Sequence, residues 1–231
     1  MAEGSYKQSC PVAMASEILC TRWTIVLPRE LVAGSTRFND LRRGVPRMSP
    51  ALLSKRLKDL EGAGILERRL ARGGDVSEYH LTPAGKELHS VVEAVGIWGQ
   101  RWITSNVSLD NLDVGLLMWD MRRGLKPEPM PPQRSTIMVT YSDLPAARAK
   151  WWLIVEPQKE VDLCSVDPGF DVDLFVNTDL RTMTEIWMGH QSVRAARDSG
   201  RLRLIGSRSL EDNMQAWLGL SPFAPVERRV A

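Results

Sequence analysis

Lys55, Arg56 and Lys58 sit in the segment RMSPALLSKRLKDLEGAGILERR, residues 47–69. Leu53, Leu57 and Leu60 recur there at helical spacing, so the cations fall on other faces of the same helix. Ammonium and guanidinium groups arrayed along a helix attract phosphates. The remaining chemistry-bearing residues are sparse. His80, His89 and His190 are the only histidines, and none has a metal-ligand spacing or a nucleophile beside it. No phosphate-binding glycine loop occurs, and no pair of carboxylates is set by pattern. The expectation is a protein that is not an enzyme, with no catalytic residue, no metal and no cofactor. Cys10, Cys20 and Cys164 are odd in number, which argues against a disulfide framework and for a reducing, cytoplasmic setting.

Charge divides the chain. Residues 21–104 hold 14 Lys and Arg against 9 Asp and Glu, a net of +5. Residues 105–231 hold 15 against 17, a net of −2. One half suits a polyanion and the other does not. No stretch reads as a membrane span or as a signal peptide, so no membrane partner is expected.

The elements that must place the cations follow from pattern. Helices are expected over Val12–Cys20, Trp23–Val32 and Phe38–Arg43. Gly44 and Pro46 break the chain. Ser49 then supplies an N-cap and Pro50 a first helical residue that needs no N–H donor, while Gly62 and Gly64 end the helix. ILERRLA and SEYHLT flank RGGDV, the pattern of two strands around a turn. A long helix, Ala84–Trp102, carries Leu88, Val91, Val92, Val95, Trp98 and Trp102 on one stripe. Three short helices and a hairpin make a winged helix-turn-helix. The helix from Ser49 would enter the major groove, and the hairpin tip, with Arg72, Gly73 and Gly74, would reach the backbone or minor groove. A basic helix alone would read as a solvated face; the surrounding motif assigns it to double-stranded DNA.

The same region resembles the HxlR-type transcriptional regulators over about residues 10–102. The ordered matches are Cys-Pro, Arg-Trp, Arg-Phe-x-Asp-Leu-Arg, Ser-Pro, Arg-Leu-x-x-Leu-Glu and Tyr-x-Leu-Thr-Pro, continuing to WGQRW. The resemblance implies a dimeric winged helix that represses or activates nearby genes. It puts Ser49, Ser54, Lys55 and Arg56 in the recognition helix, beside Lys58 on its basic face. Arg37 and Arg43 fall near the phosphate-facing first helix of the motif, and Arg72 on the wing. LCTRW departs from the two glycines usual before Arg-Trp. Val91, Val95, Trp98 and Trp102 expose too much apolar surface for a lone helix, so a homodimer on a near-palindromic operator is expected. In some members of this family a cysteine at the Cys-Pro position senses oxidants or electrophiles, which makes Cys10 a possible redox site. Lys7 is its one nearby cation, and a packing role is the plainer reading.

RRGLKPEPMPPQRS, residues 122–135, reads as a linker, preceded by a helix over Leu109–Arg123. The expected domains are 1–104, a connection over 105–133, and 134–231. In the last, strands over 136–141, 150–156, 161–166 and 171–177 precede helices from Asp179 to Gly189, Ser192 to Ser199 and Ser209 to Leu218, with RLRLI a further strand. This is an α+β layer with an antiparallel sheet. Residues from about 135 to 220, most clearly the run from Asp171 to Leu218, resemble the sterol carrier protein type 2 domain through Trp187, Gly189, Ala196, Ser199, Gly200, Arg201 and Gly206. That likeness implies an apolar cavity. Phe175, Met183, Trp187, Met188, Met214 and Trp217 would line it, binding an apolar small-molecule effector, although a Met and Trp stripe is equally plain core. The competing class is a lipid-carrying or protein-binding module whose winged helix meets protein. Weak dependence on salt would distinguish it from a DNA binder.

Overall fold

The computed structural model describes residues 5–71, 74, 76–104 and 112–230. The chain divides into two compact units, one up to Gly96 and the other from Ile97 onward.

The first unit begins with α1 (Pro11–Leu19), α2 (Val26–Val32), α3 (Phe38–Gly44) and α4 (Pro50–Gly62). Strands β1 (Leu66–Leu70) and β2 (Ser77–Leu81) pair antiparallel, and α5 (Pro83–Trp102) follows, its residues from Ile97 onward belonging to the second unit. One face of each element is apolar, and Leu27, Leu31, Leu41, Leu53, Leu57 and Leu60 close a single core. The second helix starts at Val26 and not at Trp23, because Trp23 sits at φ +77° and no right-handed helix can run through it. The amide of Thr24 instead closes a turn on the Thr21 carbonyl at 2.9 Å.

The junction of wing and α5 is tight. Thr82 Oγ1 donates to the Gly64 carbonyl at 2.6 Å and accepts from the Gly85 amide at 3.1 Å. A Cβ at Gly85 would overlap the Ile65 carbonyl oxygen, a backbone atom with nowhere to go. Gly85→Ala is therefore expected to destabilise this unit by about 2 kcal/mol or more through overpacking. Urea denaturation would show it as a lower midpoint at unchanged slope.

In the second unit, α6 (Val114–Gly124) precedes β3 (Ser135–Tyr141), α7 (Ala146–Ala149), β4 (Lys150–Val155), β5 (Asp162–Cys164) and β6 (Leu174–Thr178). Then come α8 (Leu180–Trp187), α9 (Val193–Asp198), β7 (Leu202–Gly206), α10 (Arg208–Asp212) and α11 (Met214–Leu218). The strand order is β5-β4-β3-β6-β7. Ile137, Val139, Leu153, Leu174, Val176 and Leu204 turn to one face and share a core with the helices. The unit is thus an α+β layer, but four of the expected features differ.

The sheet is mixed, not antiparallel: β3 and β6 run parallel, with Val139 opposite Val176. Alternation reveals which face a residue takes and is blind to strand direction. The proline-rich segment expected to link two halves is instead packed within this unit. Leu125 and Met130 join its core, and the Lys126 amide donates to the Trp217 carbonyl at 2.8 Å. Prolines remove donors and forbid helix, yet they do not prevent burial. Helix α6, expected as a connector, buries Val114, Leu117, Met118, Trp119 and Met121. The first three residues of the helix expected over 109–123 lie outside the described residues. Finally, the closing helix is broken at Asn213, whose φ −101° and ψ 10° leave the helical region.

Candidate nucleic-acid interface

Helices α3 and α4, with Val45–Ser49 between them, form the helix-turn-helix. Ser49 caps α4, its side chain accepting from the Leu52 amide at 3.2 Å, and Pro50 takes the first helical position. Leu53, Leu57 and Leu60 are buried, so the 3.6-residue repeat turns Ala51, Lys55 and Lys58 to the opposite side. Those three are exposed, and Ser54 is half-buried beside them.

The turn before α4 is held by a buried carboxylate. Glu30 is fully buried on α2 and takes a 2.6 Å bond from Arg29, whose same nitrogen donates to the Gly44 carbonyl at 3.0 Å. A side chain at Gly44 would overlap the Glu30 carboxylate, so only glycine lets α3 end this close to α2. Together these contacts fix where α3 stops and hence where α4 begins.

Among the other expected contacts, Arg43 is exposed and bonds Asp40 one turn back at 3.4 Å. Arg37 is exposed and donates to Glu78 of β2 at 3.3 Å. Arg37 also bridges to Glu78 through backbone, and the Tyr79 amide donates to the Thr36 carbonyl at 2.7 Å. The segment before α3 is thereby a third edge of the wing. Arg56 departs from expectation. Its side chain is only 17% exposed and donates to Asp59 at 2.8 Å. It lies on the flank of α4, since it is one position from the buried Leu57. Arg72 and the neighbouring Gly73 lie outside the described residues. Two cations outside the expected set, Arg42 and Arg47, are exposed on either side of the turn. Their signal in the sequence is the clustered arginines of LRRGVPR.

The expected dimer stripe is in the open. Val91, Val95, Trp98 and Trp102 are 40%, 51%, 60% and 45% exposed. Helix α1 buries none of its residues and exposes Val12, Met14 and Ile18. Cys10 is an exposed thiol at the N-cap of α1. Hydrogen bonds from the Ala13 and Val12 amides to the sulfur lower its pKa.

The six residues expected around a ligand divide between the two faces of the sheet. Met183, Trp187, Met214 and Trp217 are buried in the second unit's core, with Met188 half-buried against it. Phe175 points to the other face of the sheet, because its neighbours Leu174 and Val176 point into the core and a strand alternates. Among the described residues, no group of three or more His, Cys, Asp or Glu is placed to hold a metal ion. No described helix is long and apolar enough to cross a membrane.

The model of the HxlR-like helix-turn-helix family matches residues 18–107. The chain is similar to the uncharacterized HTH-type transcriptional regulator YvaP of Bacillus subtilis, at 35% identity over 98 residues, which is 42% of this chain and 91% of that protein. It is also similar to the uncharacterized HTH-type transcriptional regulator YdeP of the same organism, at 29% identity over 41% of this chain and 75% of that one. Among solved structures, the reduced form of the transcriptional regulator YodB from B. subtilis aligns at 29% identity and a TM-score of 0.36, covering 40% of this chain and 93% of that one. With YvaP matched over nearly its whole length, the chain belongs to the HxlR-like helix-turn-helix family of transcriptional regulators.

Proposed function

We propose that the protein regulates transcription as a homodimer in the cytoplasm, binding a near-palindromic stretch of double-stranded DNA. Helix α4 sits in the major groove, and Arg37, Arg42, Arg43, Arg47 and the wing meet phosphates. The observation that carries this is the capped α4 helix, which buries three leucines and leaves Lys55 and Lys58 exposed on its far side. A cationic helix presented on a helix-turn-helix is the form that groove admits. Val91, Val95, Trp98 and Trp102 join two copies, so that two α4 helices face successive half-sites. Protection mapping of the DNA beside the protein's own gene tests the proposal. Two protected half-sites about one helical turn apart are expected; uniform or absent protection rejects it.

For the second unit, the sterol-carrier-like reading is supported by the α+β build and the late helices. Met183, Trp187, Met214 and Trp217 are buried there, in the core that sheet and helices share, where an apolar effector would bind.

A second reading, thiol sensing, has one observation in its favour: Cys10 is exposed and its amide contacts favour the thiolate. Thiolates are the reactive form. Limited alkylation with iodoacetamide at neutral pH, followed by peptide mass spectrometry, is expected to label Cys10 ahead of half-buried Cys164. Equal labelling would remove the support.

A further inference from the structure

In the first unit, a cleft of about 470 Å³ opens between α2, the wing and the first turns of α5. Its apolar wall is Leu31, Val32 and Leu81, with Tyr79. Thr36, His80, Lys86 and His89 line it too, with Arg69, which is paired with Glu67; among the described residues lining it none is acidic. Lys86 is exposed and makes no ion pair among the described residues. Carboxylates lie one step back: Glu67 pairs with Arg69, Glu93 is 4.0 Å from His89 Nδ1, and Glu78 Oε2 is 3.2 Å from His80 Nε2. The volume is that of a small-molecule site, and its lining mixes apolar side chains with a few polar ones.

Glu78 gives the cleft a route to the proposed DNA face. Its other oxygen, Oε1, accepts from Arg37 Nε at 3.3 Å. One carboxylate is thus shared between a cleft histidine and an arginine placed before α3. We propose that the cleft binds a small amphipathic carboxylate and that its occupancy weakens DNA binding through His80, Glu78 and Arg37. The apolar body lies on Leu31, Val32 and Leu81, and the carboxylate takes Lys86 Nζ together with the His80 N–H. Glu78, released by His80, pairs fully with Arg37 and holds it away from phosphate. The change in DNA affinity can be no larger than the ligand's preference for the DNA-free form. Only this regulatory part rests on the DNA-binding reading; the site itself does not.

The test uses the full chain and 1-naphthoate as probe, with 1-naphthamide as its neutral counterpart, in isothermal titration calorimetry. Naphthoate is expected to bind at least about tenfold more tightly than the amide, because it gains a charge-assisted hydrogen bond. Lys86→Gln, at an exposed position, is expected to abolish that preference. Absence of naphthoate binding, equal affinity for both probes, or a preference unchanged in Lys86→Gln overturns the site. With promoter duplex present, saturating naphthoate is expected to weaken DNA binding by the native chain, while Glu78→Gln binds naphthoate without that effect. Naphthoate bound with DNA affinity unmoved overturns the transmission route. A chain that ignores DNA altogether rejects the function proposed above, and the calorimetry still decides the cleft.

Discussion

Replacing Lys55 and Lys58 together by alanine is expected to weaken binding to duplex DNA about a hundredfold near physiological salt, and to flatten its salt dependence. Each phosphate left without its cation takes about 0.9 off the slope of log affinity against log salt. Both side chains are exposed on the face of α4 opposite Leu53, Leu57 and Leu60. Alanine is the best helix former, so α4 keeps its shape and the unfolding midpoint should not fall. That combination separates weakened DNA recognition from an unfolded domain. Arg56 would be a poor choice for the same experiment. Its side chain is mostly covered and tied to Asp59, so truncating it removes packing as well as charge. Anisotropy with a labelled promoter fragment at several salt concentrations reads both quantities. Unchanged affinity and slope would place the DNA-binding surface elsewhere.

Val95→Asp with Trp98→Asp is expected to yield a monomer. Val95 and Trp98 are among the more exposed large apolar residues of α5, so charges there leave each copy's core intact. In a two-fold interface each substitution acts twice, burying four carboxylates where four apolar side chains met. Unpaired charges are costly to bury. The dimer dissociation constant should rise by about a thousandfold or more, equivalent to about 4 kcal/mol. Sedimentation equilibrium at micromolar concentration would read it directly. Trp102 is the less clean site, because Arg229 lies over its ring at 5.8 Å. DNA affinity should drop with the dimer, since a monomer reaches one half-site only. A variant still dimeric would move the interface off α5.

Much of the first unit was legible because its signals are local. The Ser49-Pro50 step announces a helix start through hydrogen bonding within one turn, and the structure has Ser49 Oγ on the Leu52 amide. Leucines at spacings of four and three identify a buried face without knowing what lies across it. What remained hidden depends on distant partners. Trp23 takes a left-handed backbone that nothing in its own letter suggests. The parallel pairing of β3 with β6 is decided by the long connection between them, not by either strand's pattern. Met183 and Trp187 were recognisable as one apolar face, but periodicity is the same whether that face lines a hollow or fills a core. Both side chains are buried in the second unit's core, and Phe175 faces away from it. Arg56 groups with Lys55 and Lys58 because it is basic, although Asp59 three residues on already offers it a partner.

Titration of promoter duplex with the full chain across a salt series tests the DNA reading as a whole. Two chains per duplex are expected, with log affinity falling linearly against log salt at about −0.9 per phosphate neutralised. Binding that ignores salt, one chain per duplex, or no binding at the lowest salt would contradict a dimer seated on DNA through α4.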